Sequence, residues 1–204
     1  MLQYITHHSD RFTIPQQVAM VIEGGCRWVQ LRMKDASDEE VESMARQLIP
    51  ICTESGTILV IDDRVEVVMK TRVHGVHLGK NDMDPAAARE YLGPHAIIGC
   101  TANTATDILA LAPLDIDYFG LGPLRHTETK RNLSPVIGLE GYRAIMAEAR
   151  AAGAEQPVVA IGSVGPADVA PLLNAGVSGV AVSGAILSAP DPVAATRAII
   201  ALGQ

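Results

Sequence analysis

The sequence predicts an α/β fold in which short parallel strands alternate with helices, and three observations support it. First, 48% of the 204 residues are hydrophobic and 19% are charged, which suits a globular chain with one sizeable core. Second, the aromatic residues are only two Phe, one Trp and four Tyr, so aliphatic side chains must fill the interior, as under the helices of a parallel sheet. Third, short apolar runs recur along the chain with helical spacing between them.

Eight apolar runs are candidate strands. In chain order they are Leu2–Thr6, Trp28–Met33, Ile58–Asp62, Gly75–Gly79, Ala96–Thr101, Tyr118–Gly122, Pro157–Gly162 and Gly179–Gly184. The segments between them predict helices, for example Asp38–Ser55, Pro85–Leu92, Leu139–Ala152 and Pro166–Ala175. Eight units average about 25 residues, close to the shortest βα repeat. The sequence therefore predicts a (β/α)8 TIM barrel that forms a single domain over residues 1–204.

A doubly wound open sheet uses the same alternation and is the alternative architecture. Its glycine-rich phosphate loop is missing, because His7-His8-Ser9-Asp10 follows the first strand where G-x-G-x-x-G would be expected. In a barrel, Gly162-Ser163-Val164-Gly165 would follow strand seven and Ser183-Gly184 would end strand eight. Phosphate sites commonly form there, where backbone N–H groups at helix starts point at one anion.

The charge balance and the cysteines restrict the partners and the compartment. A formal net charge of −7 argues against nucleic acid or an anionic membrane as a partner. Cys26, Cys52 and Cys100 suit neither a disulfide framework nor a CxxC metal site, which indicates buried thiols in a reducing compartment. No stretch approaches the roughly 18 apolar residues of a membrane span. We expect a cytoplasmic protein with small-molecule partners, and homo-oligomer formation is compatible with the sequence.

Cations collect at the end of the second predicted strand. Gln30, Arg32 and Lys34 alternate with apolar residues, so the three side chains share one face. The carboxyl ends of barrel strands all meet at one mouth, and cations placed there are costly without an anion. The pattern favours an anion site, and an ion pair on the barrel floor is the alternative.

Carboxylates follow the next two strands, with Asp62 and Asp63 after strand three and Asp82 after strand four. Salt bridges to the neighbouring cations are one interpretation. A Mg²⁺–diphosphate site is the other, because Mg²⁺ prefers hard oxygen ligands. Residues 122–131, after strand six, add hydroxyls and cations on a segment that either covers the site or forms a solvated surface.

Two reactive residue types, His77 and Cys100, lie within predicted strands. His77 is interpreted as a hydrogen-bonded core residue rather than a general base. Cys100 is interpreted as a core thiol rather than a nucleophile, since no adjacent histidine accompanies it.

Taken together, these residues resemble the thiamine phosphate synthase family over nearly the whole chain. The segments that carry the resemblance each lie at a strand end: Gln30-Leu31-Arg32-Met33-Lys34, Ile61-Asp62-Asp63-Arg64, Gly75-Val76-His77-Leu78-Gly79 with Asp82, Ile98-Gly99-Cys100-Thr101, Gly120-Leu121-Gly122-Pro123 with Thr127-Glu128-Thr129-Lys130, and Ala160-Ile161-Gly162-Ser163. The resemblance implies a barrel transferase that joins 4-amino-2-methyl-5-hydroxymethylpyrimidine diphosphate to 4-methyl-5-(2-phosphoethyl)thiazole, or its carboxylated tautomer. Diphosphate would leave with the help of Mg²⁺.

The resemblance also implies roles for individual residues. The catalytic cations that bind the diphosphate would be Arg32, Lys34 and Lys130, and the Mg²⁺ ligands would be Asp63 and Asp82. The substrate-binding set comprises Gln30, Arg32, Lys34, Asp62, Thr101, Thr127, Thr129, Lys130, Ser163, Ser183 and Gly184. Within it, Gln30 and Thr101 line the pyrimidine diphosphate site, Thr127 and Thr129 lie near the thiazole phosphate and the diphosphate, and backbone N–H groups at Ser163, Ser183 and Gly184 cradle the thiazole phosphate.

The sequence departs from the family pattern at four places. Asp62 stands where the family usually has Asn, and Met33 stands where it usually has Glu. Ser163 replaces the second Gly of a Gly-Gly pair, and Ser183-Gly184 replaces an apolar residue followed by Ser. Because Met33 alternates with Arg32 and Lys34 along the strand, its side chain points away from the mouth.

Three other functions use part of the same pattern. A thiazole tautomerase, which is a related barrel, transfers a proton and has no need of Arg32 and Lys34 together with Asp63 and Asp82. A Schiff-base aldolase would use Lys34 or Lys130 as a nucleophile, which requires an apolar pocket that lowers the lysine pKa. A non-catalytic phosphate-binding regulator would keep the turns after strands seven and eight and have no use for a metal pair.

Overall fold

The strands of the protein close into a barrel in chain order. The computed structural model describes residues 1–126 and 135–203. The strands are β1 Leu2–Ile5, β2 Trp28–Leu31, β3 Ile58–Asp62, β4 Gly75–Leu78, β5 Ile97–Ala102, β6 Tyr118–Leu121, β7 Val158–Ala160 and β8 Gly179–Val182. Each pairs in parallel with the next, and β8 returns to pair with β1 through Val182 and Tyr4. The predicted (β/α)8 barrel is confirmed, and the open sheet is excluded because the ladder closes.

Helices surround the strands. They are α1 Ile14–Glu23, α2 Asp38–Ser55, α3 Val65–Thr71, α4 Pro85–Leu92, α5 Ala105–Leu111, α6 Gly138–Ala151, α7 Val169–Asn174, α8 Gly184–Leu187 and α9 Pro192–Ala201. Side-chain caps fix several helix starts: Thr13 and Ser37 each begin a helix with a reciprocal capping box. Among the described residues, no helix combines the length and apolarity needed to cross a membrane.

Several strands end earlier than the apolar runs predict. β2 ends at Leu31 rather than Met33, and β7 ends at Ala160 rather than Gly162. At β7 the reason lies in the backbone, since Gly162 and Ser163 have φ values of 96° and 54°, outside the β region. The helix predicted at Pro166–Ala175 divides into a 3₁₀ turn, Pro166–Asp168, followed by α7.

The core has two layers, as the alternation of side chains along each strand requires. The larger layer lies between the barrel and the helices and includes Leu31, Ile61 and Phe119. The smaller layer fills the barrel and comprises Ile5, Trp28, Tyr118, Val159 and Ala181, with Ile58, Ile97 and Ile161 against them. Met33 packs against the outer layer, which agrees with its predicted direction away from the mouth.

Candidate active site at the carboxyl ends of the strands

Asp62, at the end of β3, is the centre of a charged cluster. Its Oδ1 accepts a hydrogen bond from Gln30 Nε2 at 3.1 Å, and its Oδ2 lies 3.4 Å from both Arg32 Nε and Lys34 Nζ. The side chains of Asp62 and Arg32 are only 9% and 17% exposed, so water screens this contact weakly. Arg32 and Lys34 lie beyond the end of β2, yet they converge with Gln30 as predicted.

Two residues that the sequence analysis did not assign hold the segment carrying these cations. Thr6, after β1, accepts a hydrogen bond from the backbone N–H of Arg32 at 2.9 Å through its hydroxyl, which also donates to the Arg32 carbonyl at 3.3 Å. Arg64 pairs with Asp38 at 2.8 Å and donates to the carbonyl of Ala36 at 3.3 Å. The only signals for them in the sequence are the position of Thr6 at a strand end and that of Arg64 beside two aspartates.

Asp63 and Asp82 form a carboxylate pair across the ends of β3 and β4. Asp63 has a φ of 66°, and its N–H donates to the carbonyl of His77 at 2.9 Å. The N–H of Gly79 donates to Asp82 Oδ2 at 2.6 Å. The structure thus brings together two carboxyls whose predicted role is metal binding, and Lys34 donates a hydrogen bond to Asp63.

The pKa values of the two carboxyls shift in opposite directions. Burial and the hydrogen bond with Asp63 raise the pKa of Asp82. Burial alone would raise the pKa of Asp63 too, but its hydrogen bonds with Asp82 and Lys34 lower it overall. Like charges this close are costly, and a divalent cation relieves the repulsion, so the pair fits Mg²⁺. No cluster of three or more His, Cys, Asp or Glu that could hold a metal occurs in the described ranges.

The electrostatics disfavour nucleophilic chemistry at Lys34 and Cys100. Burial would lower the pKa of Lys34, but the charges of Asp62 and Asp63 raise it overall, so the ammonium form persists. An aldolase lysine requires the opposite shift. Burial raises the pKa of Cys100 to about 12, and the residue is only 2% exposed, as expected for a core cysteine.

The opposite side of the mouth, after β7 and β8, is built from backbone and small neutral residues. A Cβ added at Gly162 would lie 2.6 Å from Pro123 Cα, so only glycine fits. Ser163, next to it, has left-handed backbone and donates its hydroxyl to the carbonyl of His126 at 2.9 Å. Ser183 Oγ is buried and finds no hydrogen-bond partner within residues 1–126 and 135–203. A Cβ at Gly184 would face open space.

Four predicted site positions remain, and the structure describes one of them, Thr101. Thr101 is half-buried in β5, close to the mouth, with its hydroxyl 3.0 Å from His77 Nε2. Thr127, Thr129 and Lys130 lie outside the described residues. Just before them, Arg125 forms two 2.6 Å contacts with Asp168, which ties this part of the chain to the 3₁₀ turn after β7.

Comparisons with known proteins identify the family of this chain. The sequence pattern of the thiamine monophosphate synthase family matches residues 2–186. The chain belongs to this family. It is 52% identical, over 98% of its length and 95% of the relative, to a thiamine-phosphate synthase of Bacteroides thetaiotaomicron. It is also 39% identical, over 94% of its length and 93% of the relative, to a thiamine-phosphate synthase of Flavobacterium psychrophilum.

A solved structure with the same fold gives the same answer. The thiamine phosphate pyrophosphorylase from Pyrococcus furiosus superposes with a TM-score of 0.86 at 31% identity, covering 99% of this chain and 94% of that one. The resemblance to the thiamine monophosphate synthase family is therefore confirmed. The structure groups Gln30, Arg32, Lys34, Asp62, Asp63 and Asp82 on one side of the mouth and places Thr101, Ser163, Ser183 and Gly184 in or after β5, β7 and β8. Their roles toward ligands stay predictions.

Proposed function

We propose that this chain is a thiamine-phosphate synthase, a transferase that joins the pyrimidine diphosphate to the thiazole phosphate and releases diphosphate. The observation that carries the proposal is the convergence of two cations, Arg32 and Lys34, with the Asp63–Asp82 carboxyl pair at one barrel mouth. A tautomerase or a phosphate-binding regulator has no use for this combination. The identities to named synthases over nearly the full chain support the same reaction.

The proposed reaction is a displacement at the methylene carbon of the pyrimidine. The carbon–oxygen bond breaks and its electron pair leaves with diphosphate, and the lone pair of the thiazole nitrogen forms the new carbon–nitrogen bond. The aminopyrimidine ring stabilises positive charge on the methylene carbon, which favours a dissociative route. Negative charge grows on the leaving diphosphate, so cations fixed in a weakly screened position stabilise the transition state more than the ground state.

Arg32 and Lys34 supply that charge from prepared positions. Asp62 lies within 3.4 Å of both and offsets their mutual repulsion before the substrate enters. Gln30, hydrogen-bonded to the other oxygen of Asp62, fixes the orientation of this carboxylate. The reaction needs no protein nucleophile, which is consistent with the high pKa of the Cys100 thiol.

Asp63 and Asp82 would hold Mg²⁺ in this proposal. When bound, the ion adds positive charge beside the diphosphate oxygens. Two anionic carboxylates suit a hard divalent cation.

The β7–β8 side would hold the thiazole phosphate. Backbone N–H groups at Ser163, Ser183 and Gly184 suit a phosphate that keeps its charge throughout the reaction. The Ser183 hydroxyl, which has no hydrogen-bond partner among the described residues, adds a further polar group. Two anion sites on opposite sides of one mouth would orient the thiazole nitrogen toward the methylene carbon.

A coupled assay tests the proposal. Purified protein would be incubated with both substrates, with and without Mg²⁺, while thiamine phosphate and diphosphate are measured. We expect the two products in equal amounts and only when both substrates are present. Isomerisation of the thiazole phosphate without any coupling would support the tautomerase instead, and tight phosphate binding without turnover would support the regulator.

We also propose a cytoplasmic location, because Cys26, Cys52 and Cys100 are buried and unpaired, as in a reducing compartment.

A further inference from the structure

A chain of hydrogen bonds crosses the interior of the barrel and ends at Thr101. Gln3 Nε2 in β1 donates to Tyr118 Oη in β6 at 3.2 Å. That oxygen lies 2.9 Å from His77 Nδ1 in β4, and His77 Nε2 lies 3.0 Å from Thr101 Oγ1 in β5. Gln3 and Tyr118 are 2% exposed and His77 is 7% exposed, while Thr101 is half-buried near the mouth. The chain therefore connects the interior to one predicted substrate-binding residue.

Two glycines make room for the rings of Tyr118 and His77 in this hydrogen-bond chain. A Cβ at Gly99 would lie 2.1 Å from Tyr118 Cζ, and a Cβ at Gly120 would lie 2.9 Å from His77 Cε1. Gly99 pairs with His77 on one side and with Tyr118 on the other. Both glycines lie in segments that carried the family resemblance, and neither has the positive φ that favours glycine elsewhere. Their smallness serves the two polar rings, because any side chain would displace them.

The contacts of Tyr118 give the chain a direction. Burial raises the pKa of Tyr118, so the phenol keeps its proton. Gln3 donates to the phenol oxygen, so the phenol proton is directed to His77 Nδ1. An imidazole that accepts at Nδ1 carries its own proton on Nε2. Thr101 Oγ1 lies 3.0 Å from that nitrogen, within hydrogen-bond distance. The hydroxyl proton of Thr101 is then left for an acceptor in the mouth.

We propose that Gln3, Tyr118 and His77 are positioning residues that make Thr101 a hydrogen-bond donor toward an oxygen of the diphosphate substrate. A threonine hydroxyl can donate or accept, and only the donor form binds an anionic oxygen favourably. In the buried hydrogen-bond chain, His77 donates to the oxygen of the Thr101 hydroxyl before the ligand arrives. The proposal rests on the proposed function for the identity of the ligand, but its tests do not require the coupling reaction.

The first test reads the histidine tautomer directly. Nitrogen NMR of the ¹⁵N-labelled, ligand-free protein at neutral pH should show His77 with its proton on Nε2. Tyr118→Phe removes the donor to Nδ1 and keeps the ring, so a population with the proton on Nδ1 should appear. A wild-type His77 with its proton on Nδ1, or on both nitrogens, overturns the proposal.

The second test measures how inorganic diphosphate binds in the presence of Mg²⁺, by calorimetry. Thr101→Val should weaken binding about 10- to 100-fold, the scale of one hydrogen bond to a charged group, and Thr101→Ser should restore it. As a single substitution, Tyr118→Phe should weaken binding about 10-fold. Added to Thr101→Val, it should weaken binding no further, because Tyr118 acts through Thr101. Losses that add in the double variant overturn the proposal.

Tyr4→Phe is the matched control. The hydroxyl of Tyr4 is equally buried and donates to Gln17 Oε1 at 2.9 Å, but the side chain packs in the outer core layer. Any effect of Tyr4→Phe on binding should add to that of Thr101→Val. If the losses of diphosphate affinity from Tyr118→Phe and Thr101→Val are not additive but no thiamine phosphate forms, the proposed function fails and this inference stands. If thiamine phosphate forms and the losses of diphosphate affinity add in the double variant, the proposed function stands and this inference fails.

Discussion

The two sides of the barrel mouth present different chemical groups to a ligand. The β2–β4 side uses charged side chains in mutual contact, with Arg32 and Lys34 around Asp62 and the Asp63–Asp82 pair beside them. The β7–β8 side uses small neutral residues, with left-handed backbone at Gly162 and Ser163. The difference follows the chemistry proposed for each anion: a leaving diphosphate gains charge in the reaction, whereas a thiazole phosphate only has to be held.

The largest effect should come from removing a cation on the charged side. Arg32→Ala should lower kcat by about 10²- to 10³-fold, because a preorganised positive charge is lost where negative charge develops. Lys130→Ala should do the same, because the family resemblance assigns Lys130 to the diphosphate. Thermal stability should change much less than turnover.

Arg46→Ala is the control for this change. Arg46 is also paired with a carboxylate, Glu42, at 2.8 Å, but it lies on α2 and its side chain is 55% exposed. Its removal should leave the steady-state kinetics at the wild-type level. Wild-type turnover in Arg32→Ala would contradict the assignment of the charged side to the diphosphate.

The second prediction concerns the carboxyl pair. Asp63→Asn and Asp82→Asn should each raise the Mg²⁺ concentration that gives half-maximal activity by about 10- to 100-fold, because a neutral amide replaces an anionic ligand. Asp62→Asn is the internal comparison and should be tolerated, since it restores the usual family residue. Titration of all three variants with Mg²⁺ checks this, and unchanged curves for Asp63→Asn and Asp82→Asn would make these carboxylates structural.

The third prediction tests the neutral side through the backbone of Ser163. Ser163→Pro removes the N–H and cannot adopt a φ of 54°, so binding of the thiazole phosphate should weaken about tenfold or more. Ser163→Gly keeps the N–H and suits left-handed backbone, so binding should be retained. Separate calorimetric titrations of the two substrates decide the matter: a loss confined to the pyrimidine diphosphate would show that the two anions are assigned to the wrong sides.

The smallest effect concerns the ion pair beside the neutral side. The hydrogen bonds from Arg125 lower the pKa of Asp168 from its ordinary value of 3.8. The Asp168 carboxylate therefore takes up a proton less readily in the folded state than in the unfolded state. The resulting stabilisation of the folded state is present above about pH 4 and is lost as the pH falls through the lowered pKa. Arg125 is 56% exposed, so the contribution should be on the order of 0.5 kcal/mol. Thermal unfolding of Asp168→Asn should show a flatter pH dependence between about pH 2 and 4 than the wild type.

The sequence alone determined the fold class and most of the charged side of the site. Both depend on local patterns. Apolar runs separated by helical spacing predict βα units, and alternation at Gln30, Arg32 and Lys34 puts three polar groups on one face wherever the strand lies. The same reasoning extended the strands too far at Met33 and Gly162, because an apolar run does not reveal where the backbone leaves the ladder.

Only the tertiary structure decided which side chains meet. Asp62 became the partner of both cations through the pairing of β2 with β3, and Asp63 met Asp82 through the pairing of β3 with β4. His77 was expected to be a hydrogen-bonded core residue, and it is, but its bond to Tyr118 joins residues 41 positions apart. Contacts of this kind depend on strand register and on the space left by Gly99 and Gly120, and barrel closure, which no local pattern encodes, brings these groups within a few ångströms of each other.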